Sequence, residues 1–132
     1  MNTFFISSNV KNGLLEIDFG NKFNCQIGLV SITLPKVEIE EGTLVTLTCD
    51  QVDATSLNPS RIIRHFYQGN KFAYVNHRFP EVLFHTIDTT DRKLTIRLFD
   101  MTGQPLKFKT DNPRVLLTFV LKCDTNKKWI KR

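Results

Sequence analysis

A chain of 132 residues, 41% hydrophobic and 23% charged, has the composition of one soluble globular domain. That excludes a disordered chain, and a domain this long buries roughly two-thirds of its unfolded surface without staples. The formal charge of +5 sits unevenly: Lys122, Lys127, Lys128, Lys131 and Arg132 stand against Asp124 at the C-terminus, leaving the rest of the chain close to neutral.

In chain order the pattern is strand after strand. FFIS (4–7) is short and aromatic, and Asn9, Asn12 and Gly13 break it. LLEIDF (14–19) alternates, with Leu15, Ile17 and Phe19 on one face and Glu16 and Asp18 on the other, the period of a half-buried strand. CQIGLVSITLP (25–35) is long and ends at Pro35; Gly28 in its middle predicts a bulge or a close backbone approach. Residues 36–43 form a charged connector, and LVTLTCDQV (44–52) is the next strand.

The segment after it is ambiguous. Asn58-Pro59-Ser60 has the chemistry of a helix cap, and Ile62, Ile63 and Phe66 fit a helical stripe as well as a strand. The reading allows at most one short helix, near 57–67. KFAYVNH (71–77) and VLFHTID (82–88) return to strand.

The most informative stretch is 94–121. LTIRLFD alternates, Asp100, Gly103 and Pro105 supply turn chemistry, and Leu106-Lys107-Phe108 resumes the alternation, so the unit reads as a hairpin. VLLTFVL (115–121) is continuously apolar, as in a strand covered on both sides by a second sheet or another subunit. Nine or ten strands with no alternating helices predict an all-β antiparallel sandwich, a single jelly roll of about eight to ten strands, with an immunoglobulin-like sandwich as the alternative. Residues 1–121 form that domain and 122–132 a basic tail.

Signals for chemistry are sparse. The spacing of His65, His77 and His85 matches no metal motif, and the six glycines form no phosphate loop. Glu38, Glu40 and Glu41 read as a solvated connector. Cys25, Cys49 and Cys123 have no CxxC spacing and read as three reduced, unpaired thiols, which suits a protein made in the cytoplasm. No run approaches the roughly 20 apolar residues of a membrane span, and Asn2 to Val10 does not read as a signal peptide. No catalytic, metal or cofactor-binding residue is assigned, and no enzyme activity is expected.

Four stretches carry a family resemblance: FFISSNVKNGLLEIDF, QIGLVSITLP, VTLTCDQV with IIRHF after it, and LTIRLFDMTGQPLKF closing on VLLTFVL. Their order over residues 4–121 resembles the single jelly-roll minor capsid (penton) proteins of Polinton-like viruses and their relatives in the adenovirus lineage. The short middle segment 53–81 departs from that pattern and leaves little room for an elaborate outer loop. The resemblance implies a virion protein: five copies at a five-fold vertex, in contact with the major capsid protein. A ring needs two complementary patches on each subunit, and Val30, Ile32, Phe99, Val115, Leu117 and Phe119 are the candidate subunit-interface residues. Lys127, Lys128, Trp129, Lys131 and Arg132 are candidate tail contacts to an acidic neighbour or to nucleic acid. The alternatives are a non-enzymatic binding module for a protein or nucleic acid, and an enzyme whose histidines gather in one pocket.

Overall fold

The computed structural model describes residues 2–18, 24–88 and 93–123, and these contain nine strands and no helix. The strands are β1 (Asn2–Asn9), β2 (Leu14–Asp18), β3 (Asn24–Pro35), β4 (Thr43–Cys49), β5 (Ile62–Gln68), β6 (Tyr74–Arg78), β7 (Phe84–Asp88), β8 (Lys93–Phe99) and β9 (Arg114–Cys123).

Their pairing is nested. β1 pairs with β9, β2 with β8, β3 with both β6 and β7, and β4 with β5, all antiparallel. The chain is thus one long hairpin with its tip between β4 and β5. Rolling it brings β9 beside β3 and β8 beside β4 as well. Two sheets result, ordered β1-β9-β3-β6 (with β7 also on β3) and β2-β8-β4-β5. That connectivity is the single jelly roll, so the expected fold class holds.

The ninth strand comes from a break. β3 changes register against β9 between Leu29 and Ser31, so Val30 is an extra residue in a bulge. The Val30 carbonyl accepts a hydrogen bond from the Phe79 amide at 3.0 Å. There the strand opposite β3 divides, β6 pairing with Ser31–Pro35 and β7 with Asn24–Gly28. The connection between them crosses the outer side of β3 at Gly28, where a Cβ would overlap Val82 Cγ1 and sit 3.3 Å from the Leu83 carbonyl oxygen. Of the two roles its position predicted, Gly28 serves the close approach; the bulge lies two residues on, at Val30.

One ambiguity closes and two expectations change. Residues 62–68 are strand β5: the Asn58 amide group does cap, but its Oδ1 accepts from the Ile62 amide at 2.9 Å and its Nδ2 donates to the Ile62 carbonyl at 2.9 Å, closing a turn into a strand. Leu106-Lys107-Phe108 is no hairpin strand; Pro105 bridges Phe99, Phe108 bridges Val37, and Leu106 is buried in the core. Cys25 is disulfide-bonded, not a reduced thiol, while Cys49 is free and buried. The ladder sets Cys25 opposite Cys123, a juxtaposition that β3–β9 pairing creates and that cysteine spacing does not reveal.

The core lies between the sheets. Ile27, Leu29, Ile32 and Leu34 of β3 and Val115, Leu117 and Phe119 of β9 meet Val45 and Leu47 of β4 and Leu94, Ile96 and Leu98 of β8. Each such side chain contributes roughly 1.5–3 kcal/mol on burial, which sets the face every strand turns inward. At the β5/β6 border the sheets are joined by a polar link. Gln68, fully buried, receives a hydrogen-bond contact from His77 Nε2 at its Oε1 and directs its Nε2 to the Pro35 carbonyl at 3.3 Å.

Candidate assembly surface

The two outer faces of the sandwich differ in chemistry. On the β2-β8-β4-β5 face charge is abundant and paired: Arg97 grips Asp50 through Nε and Nη2, both at 3.0 Å, and Lys93 Nζ lies 3.7 Å from Glu16. Thr46 and His65 share a hydrogen bond at 3.0 Å on the same face. The guanidinium of Arg97 is held above its ordinary pKa by the Asp50 carboxylate.

The β1-β9-β3 face is uncharged at its centre. Strand alternation turns Thr3, Phe5 and Ser7 of β1 and Leu116, Thr118 and Val120 of β9 outward. Phe5 is 78% exposed and Leu116 51%. They are diagonal neighbours, since Phe5 pairs with Thr118 and Ser7 with Leu116. Thr33 of β3 continues the face and hydrogen-bonds Asn76 at 3.3 Å. At its margin Lys122 places its ammonium 5.2 Å from the Phe84 ring centroid, an attraction typical of exposed cation–π pairs.

The structure redistributes the residues proposed from the sequence. Ile32, Val115, Leu117 and Phe119 are buried to 1% exposure or less, inside the core and not on a subunit surface. The apolar run of β9 conceals an ordinary alternation, and its outward members are the intervening ones. Val30 is half-buried in the bulge, and Phe99 is half-buried, paired with Thr46 and bridged to Pro105. These two share no patch: Val30 lies on the β3 sheet and Phe99 on the other. Lys127, Lys128, Trp129, Lys131 and Arg132 lie outside the described residues. Strand β9 itself runs to Cys123, past the expected domain end at 121.

Phe5 and Leu116 are the surface residues the sequence reading missed. A signal existed for the first: with Phe4 and Ile6 turned inward, alternation leaves Phe5 outside.

The histidines do not converge. His65 pairs with Thr46 on an outer face, His77 meets Gln68 and the Phe66 ring (centroids 4.6 Å apart), and His85 Nε2 contacts the Ile63 carbonyl at 3.2 Å. Burial pushes the pKa of both His77 and His85 down; for His85 the Ile63 carbonyl opposes that effect. Among the described residues no group of three His, Cys, Asp or Glu side chains is placed to hold a metal ion. The acidic connector is pinned by its backbone: Asn70 accepts from the Val37 amide at 3.0 Å and donates to the Val37 and Ile39 carbonyls at 2.7 and 2.6 Å. Tyr67 donates its hydroxyl to the Glu41 carbonyl at 2.6 Å. A groove beside it is lined by Val10, Lys11, Glu38, Leu106, Lys107 and Pro113.

No family model matches the chain, and no curated protein matches it. Among solved structures the chain is similar to the core of Drosophila NLP, a structure described in terms of pentamer formation and histone binding. The TM-score is 0.42 at 12% identity, covering 93% of this chain and 98% of that one. It is also similar to VP2 in the subviral particle of infectious bursal disease virus, with a TM-score of 0.27 at 10% identity, covering 89% of this chain and 36% of that one.

Proposed function

We propose that this chain is a non-catalytic structural subunit of an icosahedral virus shell, of the penton type, that packs with its own copies around a five-fold axis and against a major capsid protein. The observation that carries this reading is the apolar outer patch of β1 and β9, where Phe5 is 78% and Leu116 51% exposed on the outside of the sandwich, bordered by Arg114, which donates to Ser7 Oγ at 2.9 Å. A large apolar side chain left in water beside another apolar row marks a contact surface. The order of motifs along residues 4–121, similar to the penton proteins of Polinton-like viruses, supports the same reading. The tail residues Lys127, Lys128, Lys131 and Arg132 would then meet an acidic neighbour or packaged nucleic acid, with Trp129 as an apolar anchor.

The test is the mass of the purified full-length chain by light scattering, followed by electron microscopy of the assembled fraction. Rings whose mass is a multiple of five subunits support the vertex assignment. A monomer at every concentration removes the shell reading and leaves the alternative, a β-sandwich module that binds a protein or nucleic acid.

A further inference from the structure

The outer side of the β2-β8-β4-β5 sheet holds a depression of about 490 Å³, within the ~300–1,000 Å³ range of small-ligand sites. Its floor is two rows of the ladder. Thr46 lies opposite Phe99 of β8, and Thr48 lies between Arg97 of β8 and Ile62 of β5. Asp50 and Ser60 stand at one end, Asp100 and Met101 at the other. This floor leaves hydrogen-bonding capacity unused. Thr48 is 8% exposed, and its hydroxyl has no partner among the described residues. Every fully enclosed side-chain N or O among them does have one, so the Thr48 hydroxyl is the part of that residue left open, on the side that strand alternation turns toward the depression. Arg97 is committed to Asp50 through Nε and Nη2, both at 3.0 Å, which fixes its plane and leaves Nη1 to donate. Asp100 takes its three bonds at Oδ1, leaving Oδ2 to accept.

Charge selects the class of ligand. Two carboxylates, Asp50 and Asp100, line the depression against one guanidinium that is already paired. The lining is therefore negative by one and repels a phosphate, a sulfate or a nucleic acid. The charges acting from just outside, Lys107 on Asp100 and Glu16 on Arg97, cancel. Among the described residues no third carboxylate, histidine or thiol joins the two to hold a metal ion. The ligand that fits is neutral, brings several hydroxyls to closely spaced donors and acceptors, and lays an apolar face on Phe99, Ile62 and Met101.

We infer that the depression binds a neutral sugar ring. The C–H face of the ring rests on Phe99, which is half-buried and held in place by its pairing with Thr46 and its bridge to Pro105. Hydroxyls of the ring bond to Thr48 and donate to the Asp50 and Asp100 carboxylates, charge-assisted bonds stronger than neutral ones. Arg97 Nη1 donates to a ring or hydroxyl oxygen, and Met101, 67% exposed, walls one edge. The site binds without cleaving. Cleavage of a glycosidic bond needs a carboxylic acid to protonate the leaving oxygen. Asp50 is ion-paired; burial pushes the Asp100 pKa up, but bonds from Thr102 and Gln104 outweigh that and hold it below its ordinary value. The inference does not rest on the shell reading, since this site lies on the opposite sheet from Phe5 and Leu116.

Nuclear magnetic resonance of the full chain provides the test. Glucose, galactose, mannose and N-acetylglucosamine are titrated separately into nitrogen-15-labelled protein, with glucose 6-phosphate as the anionic comparison. At least one neutral sugar is expected to shift amides of residues 46–50, 60–62 and 97–101, and glucose 6-phosphate to shift them less than glucose does. Thr48→Val keeps the shape of the side chain and removes the hydroxyl, and it is expected to weaken binding about three- to tenfold, the loss of one neutral hydrogen bond. Phe99→Leu keeps an apolar side chain and removes the platform, and it is expected to weaken binding as well. Phe5→Ser removes an exposed ring from the other sheet and should leave the affinity unchanged. No shift with any of the four neutral sugars overturns the inference. So does binding that both Thr48→Val and Phe99→Leu leave intact, or a preference for glucose 6-phosphate over glucose, which would make the depression an anion site.

Discussion

The Phe79 amide donates to the Val30 carbonyl at 3.0 Å, and through that one bond the bulge in β3 and the break between β6 and β7 become a single feature. A bulged residue loses its place in the ladder, and its carbonyl must find another donor or remain unsatisfied. Phe79 supplies the donor where the opposite strand leaves the sheet. The departing segment then needs room over β3, and Gly28 provides it.

Gly28→Leu should therefore force the 79–83 connection off the sheet. The Cβ alone overlaps Val82, and overpacking of this kind costs about 1–3 kcal/mol. Denaturant unfolding reads the loss as a lower midpoint with unchanged slope. A Gly28→Leu protein as stable as wild type would mean that the connection does not press on β3.

His77 and His85 make stability depend on pH in a defined direction. Burial holds both below their ordinary pKa of 6.5 in the folded state, so the unfolded chain binds protons first as the medium is acidified. Their contribution is intact above 6.5 and is lost as pH falls through the folded values. Unfolding midpoints at about pH 7.5 and pH 5 should differ, with the acid value lower. His77→Gln should flatten that difference; an unchanged slope would remove His77 from the account.

Cys49 has its thiol pushed up from an ordinary 9.0 to about 11, chiefly by burial. The thiolate is the reactive form, so Cys49 should resist alkylation at neutral pH until the protein unfolds. Mass spectrometry after iodoacetamide treatment, with and without denaturant, checks this. Because the unfolded thiol ionises first, this contribution to stability is present below pH 9 and fades between 9 and about 11.

Asp100 organises the turn after β8. Its Oδ1 accepts from the Thr102 amide at 2.8 Å, the Thr102 hydroxyl at 2.6 Å and the Gln104 amide at 3.1 Å. Burial raises its pKa, but these bonds and Lys107 outweigh that and hold it below the ordinary value. Asp100→Ala should cost about 1–2 kcal/mol by loss of charge-assisted hydrogen bonds. Gly103, at φ 83°, should lose stability on change to Ala by strain, about 1 kcal/mol or more. Thermal unfolding of both variants measures the pair.

Local chemistry decided a good deal. The alternations in LLEID and LTIRLF named the inward faces of β2 and β8 correctly, and the turn chemistry at Asp100 and Gly103 and the mid-strand glycine at 28 are all in place, because side-chain period and positive φ are properties of a few neighbouring residues. The strand count and the absence of alternating helices led to a jelly roll for the same reason. Where the signal was local but the partner was remote, the sequence was silent. Asn58 has the same capping chemistry before a helix or a strand, and only the pairing of Ile62–Gln68 with β4 chose the strand. Leu106 and Phe108 alternate like a strand, yet their neighbours are Leu98 and Val37, and no ladder forms. In β9 every residue from Val115 to Leu117 is apolar, so hydrophobicity could not say that Leu116 faces water while its neighbours are in the core. That orientation follows from β9 lying between β1 and β3 with the opposite sheet on one side only. Burial is a property of the second layer, and the second layer exists only once the hairpin has rolled.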